Sequence, residues 1–270
     1  MTRPQLLLHD FGQEVLAFST TRHGGCSRGN YGEFNINCYC GDSPEATEAN
    51  RSLLCRELGI GTECLVMPHQ THHTETRKIG ADFPTLTPAH RQQALEGVDA
   101  VMTDVPGICV GVSTADCIPV LLYDNKRHAC CAVHAGWRGT AERIAAKAVA
   151  AMTAAYGTDP ASLQACIGPG ISLENFEVGD EVYRKFADAG FRMECVSRKY
   201  EKWHIDLWKC NRDTLAEAGV NPRNIRITGL CTYSNTDEFF SARRLGTASG
   251  RIFTGIIIKQ TEQLKTLKAK

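Results

Sequence analysis

The chain has 270 residues, of which 43% are hydrophobic and 22% are charged, a composition typical of globular proteins and unlike that of disordered or collagenous chains. Its 30 lysines and arginines balance its 30 aspartates and glutamates, so no overall positive field favours nucleic acid or an anionic membrane. No apolar run approaches the roughly 20 residues that span a bilayer, and residues 1–9 lack the features of a signal peptide. We therefore expect a cytoplasmic protein with no nucleic-acid partner and no membrane partner.

Hydrophobic periodicity and helix-capping residues predict a mixture of strands and helices. In chain order, strands are predicted over 15–20, 64–67, 100–103, 108–113, 119–123, 129–133, 225–230 and 252–258, and helices over 44–58, 139–156, 180–189 and 206–218. Ser43 and Gly59 suit the N-cap and the C-terminal stop of the first helix. Residues 80–93 show no regular pattern, because Pro84 and Pro88 interrupt it. These elements predict an α/β (α+β) layered fold, a mixed β-sheet with flanking helices, in a single domain over residues 1–270.

The 13 cysteines show no paired spacing, and a reducing compartment opposes disulfides. Most are expected to be small buried hydrophobes, such as Cys130 and Cys131 in an apolar strand. Cys38 and Cys40 are too closely spaced for a usual zinc knuckle and have no partner pair. Only a cysteine with a suitable neighbour is therefore a candidate ligand or nucleophile.

The strands over 119–123 and 129–133 flank the segment 124–127 (DNKR), which is typical of a hairpin turn. A turn symmetric about its centre pairs residues whose numbers add up to about 251 and places Cys117 opposite His134. Directly opposed side chains have Cβ atoms about 4.5–5.5 Å apart, so both residues can bind one metal ion. The hairpin therefore predicts two ligands of a metal site.

The segment 69–73 (HQTHH) is the source of a third ligand. In an extended segment, His69 and His73 lie on one side and His72 on the other, and the residues alone do not choose among them. Catalytic zinc typically has three protein ligands and one open position, and the same ligand types also suit copper. A metal-free alternative makes Cys117 a thiolate nucleophile with His134 as its base.

Several longer motifs match a known family. They are TTRHGG at 20–25, GDSPE at 41–45 with NR at 50–51, TADCIP at 114–119, VHAGWRG at 133–139, IGPGI at 167–171, FEVG at 176–179, FFSARR at 239–244 and SGR at 249–251. On these motifs the chain resembles the YfiH-like laccase-domain family, long labelled polyphenol oxidases and now regarded as purine nucleoside phosphorylases. The resemblance covers nearly the whole chain and implies a single layered α/β domain.

The family's metal site consists of histidine, cysteine and histidine. Its first ligand lies in a Gln-x-His segment that matches 70–72, which favours His72, and the others map onto Cys117 and His134. The resemblance thus implies that these three residues bind zinc and carry the catalysis. The family commonly has glycine after the first histidine, where this chain has His73, a bulkier group that would narrow the pocket or compete for the metal.

The activity implied by the resemblance is phosphorolysis of adenosine, inosine and methylthioadenosine to a free base and a ribose 1-phosphate. Deamination of adenosine is attributed to the same site, so the partners are a nucleoside and phosphate. Guanidinium groups bind oxyanions well, and the candidate substrate-binding residues are Arg22, His23, Arg51 and Arg138. A copper-dependent polyphenol oxidase and a non-enzymatic metal-binding protein stay open as alternatives; the oxidase ranks lower because one three-ligand site gives little scope for reducing dioxygen.

Overall fold

The computed structural model describes residues 2–260, and its strands form two large mixed sheets and one small sheet. In spatial order, the five-stranded sheet contains β1 (Leu6–His9), β2 (Val15–Thr20), β14 (Ile252–Ile258), β6 (Cys109–Thr114) and β3 (Leu65–Val66). The six-stranded sheet contains β13 (Ile225–Ile227), β9 (Gln164–Ile167), β7 (Ile118–Asp124), β8 (Ala129–Ala135), β5 (Ala100–Thr103) and β4 (Thr76–Lys78). The small sheet contains β10 (Glu177–Val178), β12 (Trp203–Ile205) and β11 (Ser197–Lys199).

The helices lie in the connections between the strands. They are α1 (Pro44–Leu58), α2 (Pro88–Leu95), α3 (Trp137–Ala141), α4 (Ile144–Tyr156), α5 (Asp180–Asp188), α6 (Met193–Val196), α7 (Leu207–Glu217) and α8 (Ala242–Leu245). The expected α/β fold with mixed sheets is confirmed. None of the helices within residues 2–260 has both the length and the apolar character needed to cross a membrane.

The hairpin of β7 and β8 lies in the middle of the protein, and all 14 of its strand residues are buried. Leu121 and Ala132 belong to the core shared with the five-stranded sheet. Val120 and Val133 point the other way and pack in the core formed with α4 and α7. Because successive side chains of a strand alternate between faces, burial on both faces explains the nearly continuous apolar sequence.

Several predicted elements are confirmed. The strands β2 and β14 have the predicted bounds. The helix α1 begins after Ser43, whose Oγ accepts from the backbone N–H of Ala46, and ends at Gly59 with φ of 68°. All 13 cysteines lie in the described part of the chain and none of them forms a disulfide there. Cys130 and Cys131 are fully buried, as expected.

The prediction of one continuous helix over 139–156 is wrong: α3 begins at Trp137 and ends at Ala141, and α4 begins at Ile144 and ends at Tyr156, as predicted. Arg143 separates them with φ of 61°. In that conformation its guanidinium donates to the carbonyl oxygen of Ala189 at 3.1 Å and to the carboxylate of Glu217. Apolar periodicity continues across the break and therefore does not reveal it.

The expectation of an irregular stretch over 80–93 is also wrong. Pro88 is the first residue of α2, and Thr87 accepts a capping hydrogen bond from the backbone N–H of His90. Pro84 lies in a short 3₁₀ helix. Proline is tolerated in the first turn of a helix, where its missing N–H has no partner to lose. Both prolines lie in such a first turn and therefore do not interrupt a helix.

The hairpin register differs from the predicted one by two residues. His134 pairs with Pro119, so the numbers of paired residues add up to 253. The reason is that the turn occupies residues 125–128, one residue later than the predicted 124–127. A shift of two returns every side chain to the same face. Cys117 therefore comes opposite Gly136 and stays on the side of His134: a Cβ atom added to Gly136 would lie 3.2 Å from Cys117 Sγ.

Acidification is expected to destabilise the fold partly through His9. This side chain is 9% exposed and its Nε2 lies 3.0 Å from Ser19 Oγ. Burial, together with the charge of Arg226, lowers its pKa to about 4. Below pH 6.5 His9 binds a proton in the unfolded chain but stays neutral in the folded chain, so the free energy of unfolding falls as the pH drops toward 4. Between pH 7 and pH 5 this loss amounts to about 2 kcal/mol.

Urea unfolding of wild type and His9→Gln at both pH values measures this contribution. The variant is expected to lose about 2 kcal/mol less than wild type over that interval. His90→Gln, which changes an exposed histidine, serves as the control and should follow wild type. Equal losses in wild type and His9→Gln would contradict the prediction.

Candidate metal centre

Three side chains that suit a metal ion converge at the end of the hairpin. The ligand atoms of His72, Cys117 and His134 all lie within 4.8 Å of one another. His134 lies in β8, Cys117 directly precedes β7, and His72 lies in the loop between β3 and β4. Among residues 2–260 this is the one group of three or more histidine, cysteine or carboxylate side chains so arranged.

His134 is oriented by a buried carboxylate. Its Nδ1 lies 2.7 Å from Oδ1 of Asp99, and the two side chains are 3% and 0% exposed. Burial alone would raise the pKa of Asp99, but hydrogen bonds from His134 and from backbone amides hold it below its usual range. With Nδ1 donating to Asp99, Nε2 is the ring nitrogen left to bind a metal. Sequence reasoning missed Asp99, whose one signal is a lone carboxylate beside an apolar strand.

The loop that carries His72 is a turn and not the extended segment expected from the sequence. His72 has φ of 65°, and the backbone N–H groups of residues 71–73 donate to Asp99. The turn separates the three histidines. His69 Nδ1 lies 2.7 Å from Glu96 and its ring stacks on Tyr39, whereas His73 is exposed and does not line the cavity described below.

Cys117 follows a residue in an unusual conformation. Asp116 has φ of 87°, and its carboxylate accepts from Thr232 Oγ1 at 2.8 Å and from the backbone N–H of Arg243 at 2.7 Å. Asp116 therefore anchors the turn that presents Cys117, and it does not contact His134 in the way that Asp99 does.

The electrostatics of the group favour a metal-binding thiolate. Burial alone would raise the pKa of Cys117, but His134 and His72 outweigh it and lower the pKa to about 6. Burial alone would lower the pKa of His134, but Cys117 and Asp99 raise it to about 9. The thiolate, two imidazoles and a carboxylate behind one imidazole make up a donor set that zinc commonly uses. The residues present therefore fit a zinc ion.

The three side chains line an open cavity of about 360 Å³. Its other lining residues are Asn37, Tyr39, Cys40, His69, Gln70, Ser113, Thr114, Ala115, Ala242, Thr247 and Arg251. The side-chain amide of Gln70 pairs with the backbone of Ser113 through two hydrogen bonds of 2.8 and 2.7 Å. Asn37 Nδ2 donates to Ser113 Oγ at 2.8 Å, so these contacts fix a polar part of the cavity wall.

Arg251 is the arginine that lines this cavity. Its guanidinium donates to the carbonyl oxygens of Thr247, Ser249 and Gly250, which fixes the side chain in place. Sequence reasoning included Arg251 in a family motif without giving it a role. A positive charge at the wall of the cavity that the metal ligands line suits an anionic substrate.

The four predicted substrate-binding residues lie elsewhere. Arg22 and His23 line a separate cavity, where Arg22 donates to the carbonyl oxygens of Gly32 and Thr236. Arg51 lines a neighbouring cavity and donates to the carbonyl oxygen of Leu65 at 2.8 Å. Arg138 is exposed and lies over the ring of Trp137. The structure brings none of the four to the metal cavity.

A family model described as multi-copper polyphenol oxidoreductase laccase matches residues 16–259. The chain belongs to this family. It is 48% identical over 244 residues to a purine nucleoside phosphorylase of Bacteroides thetaiotaomicron. The aligned residues cover 89% of this chain and 90% of that relative. It is also 42% identical over 248 residues to adenosine deaminase RL5 of an unknown prokaryotic organism, covering 91% and 94%.

The fold is shared with a solved structure. The crystal structure of Bacillus licheniformis hypothetical protein YfiH matches with a TM-score of 0.89 at 30% sequence identity and covers 95% of this chain and 97% of that one. The resemblance seen in the sequence motifs is thus confirmed over the whole fold. Because both of these relatives are named as enzymes, the chain is an enzyme of this purine nucleoside phosphorylase-like family.

Proposed function

We propose that the protein is a zinc-dependent purine nucleoside phosphorylase that cleaves adenosine, inosine and methylthioadenosine with phosphate, and that also deaminates adenosine. The observation that carries the proposal is the convergence of His72, Cys117 and His134 at the wall of one cavity. The names of the similar proteins support both activities.

The three residues would hold the zinc ion through the thiolate of Cys117 and the two imidazoles. When bound there, zinc supplies Lewis acidity toward an oxygen or nitrogen atom and lowers the pKa of water. The first property suits departure of a purine anion, and the second suits hydrolysis at C6 of adenosine. One site thus accommodates both reactions.

Phosphorolysis exchanges one bond at the anomeric carbon. A phosphate oxygen forms a bond to C1′ while the bond from C1′ to the purine nitrogen breaks, and its electron pair leaves with the base, which is then protonated. Arg251 lines the cavity and would hold the phosphate through its charge, while Asn37, Ser113 and Gln70 form the polar wall. The cavity walls thereby orient phosphate and nucleoside toward each other.

The reaction is tested by measuring purine release from adenosine and inosine with and without phosphate, on protein of known metal content. We expect release that requires phosphate, yields one ribose 1-phosphate per base, and scales with zinc up to about one ion per chain. Removing the metal with a chelator should abolish release, and adding zinc back should restore it. Absence of release from fully zinc-loaded protein would overturn the proposal.

Two other functions remain as outcomes of the same experiment. Oxygen consumption with phenols by copper-loaded protein would indicate a polyphenol oxidase, to which the family's description refers. Residues 2–260 contain one group of metal ligands, whereas four-electron reduction of dioxygen needs several electron-accepting centres. An intact metal site with neither activity would indicate a non-enzymatic metal-binding protein.

Phosphate binding is expected to depend on Arg251 and not on Arg51. The change Arg251→Gln removes the positive charge that this arginine places at the cavity wall and should raise the KM for phosphate about 10- to 100-fold, since a hydrogen bond to a charged group contributes about 1.5–3 kcal/mol. Arg51→Gln changes the arginine of the neighbouring cavity and should leave this KM unchanged. Steady-state kinetics at saturating nucleoside measure both values. The opposite result would restore Arg51 as the phosphate ligand.

A further inference from the structure

Asp99 contacts both histidines of the metal centre. It lies directly before β5 and is 0% exposed. Its Oδ1 accepts from the ring Nδ1 of His134 at 2.7 Å and from the backbone N–H of His72 at 3.0 Å. Its own carbonyl oxygen accepts from the backbone N–H of His134 at 2.8 Å. One residue thus fixes the ring and backbone of one histidine and the backbone of the other.

The second carboxylate oxygen holds the same loop. Oδ2 accepts from the backbone N–H of His73 at 2.8 Å and from that of Thr71 at 3.3 Å. Three successive amides that point at one carboxylate form a small anion-binding nest. His72 adopts a left-handed conformation that residues other than glycine rarely take, and these hydrogen bonds stabilise it.

We propose that Asp99 is the positioning residue of this metal site, acting on two of its three ligands through a single carboxylate. The inference rests on the metal site of the proposed function but not on the reaction. Its ring contact keeps the proton on Nδ1 of His134 and leaves Nε2 for the metal, and its backbone contacts hold the turn that presents His72. Loss of the carboxylate would therefore disturb both histidines together.

The variant Asp99→Asn tests this because it keeps the size of the side chain and changes its hydrogen bonding. An amide has one acceptor oxygen and one donor nitrogen. Whichever way it turns, its NH₂ group meets two N–H donors, either those of His134 and His72 or those of His73 and Thr71. Asp104→Asn is the matched control, since Asp104 follows the same strand and its side chain is 40% exposed.

Zinc affinity, measured by competition with a chromophoric chelator, is expected to fall about 10- to 100-fold in Asp99→Asn and to stay at the wild-type value in Asp104→Asn. The absorption spectrum of the cobalt-loaded protein should keep its thiolate charge-transfer band in Asp99→Asn, because Cys117 still binds, but its ligand-field bands should shift. Zinc affinity within twofold of wild type, with an unchanged cobalt spectrum, would overturn the proposal.

A measurement on the wild type decides the matter if Asp99→Asn does not fold. Long-range ¹H–¹⁵N NMR of the zinc-loaded protein reports which nitrogen of each imidazole carries the proton. We expect His134 to be protonated at Nδ1, and protonation at Nε2 would overturn the proposal. If wild type binds zinc and shows this tautomer but releases no purine, the proposed function fails while the role of Asp99 stands.

Discussion

Replacing Cys117 with alanine is expected to abolish zinc binding and to lower phosphate-dependent purine release by about 10³-fold or more. The thiolate is the one anionic ligand of the three side chains, so its loss leaves two neutral imidazoles to hold a divalent cation. A Lewis acid contributes several kcal/mol to stabilising the transition state, and each 1.36 kcal/mol corresponds to a factor of ten in rate. Metal analysis and initial rates on the same preparation measure both effects.

The matched control for this variant is Cys195→Ala. Cys195 is exposed in α6, so the same chemical change there should leave zinc content and rate at the wild-type values. If Cys117→Ala retains about one zinc per chain and its activity, the three-ligand site is wrong. If it loses zinc but keeps the activity, the reaction does not depend on the metal.

The largest effect on stability is expected at Asn50. This side chain is 0% exposed. Its Nδ2 donates to Ser27 Oγ and to the carbonyl oxygens of Glu33 and Asn35, and its Oδ1 accepts from the backbone N–H of Cys26 at 3.0 Å. Each buried polar group left without a partner costs about 1–3 kcal/mol. Asn50→Ala should therefore lower the free energy of unfolding by about 3 kcal/mol or more.

Two further variants sharpen this test. Asn50→Asp keeps the shape but replaces the donor with an anion beside three acceptor oxygens, so it should be at least as damaging as Asn50→Ala. Asn224→Ala removes a partly exposed asparagine whose side chain makes one hydrogen bond of 3.4 Å and should change stability by less than about 0.5 kcal/mol. Urea unfolding measures all three. If Asn50→Ala unfolds at the same urea concentration as wild type, the hydrogen bonds of Asn50 to the segment 26–35 do not contribute measurably to stability.

The sequence predicted best those features that depend on neighbouring residues. Alternating or continuous apolar residues indicated β2 and β14 with their bounds, and Ser43 and Gly59 indicated the ends of α1. The break at Arg143 was missed because the partners of its side chain in that conformation, Ala189 and Glu217, lie far along the chain. The bounds of an element thus follow from local sequence only where local forces decide them.

The candidate site shows the same division. The hairpin argument brought Cys117 and His134 together although its register was two residues off, because a shift of two preserves the face of a strand. The third ligand required the family resemblance, since the turn at His72 depends on Asp99. The choice of Arg22 and Arg51 rested on residue type alone, and the sequence does not show which cavity an arginine lines.

The placement of the three ligands also has a consequence for the folding equilibrium. His72 lies in the loop that leads from β3 to β4, whereas Cys117 directly precedes β7 and His134 lies in β8. An ion held by all three would cross-link this loop to the hairpin, and the unfolded chain has no comparable site. At a free ion concentration 100 times its Kd, such linkage adds about 2.7 kcal/mol to the free energy of unfolding. The supply of metal would then set how large a loss of folding free energy the protein tolerates, as well as its catalytic rate.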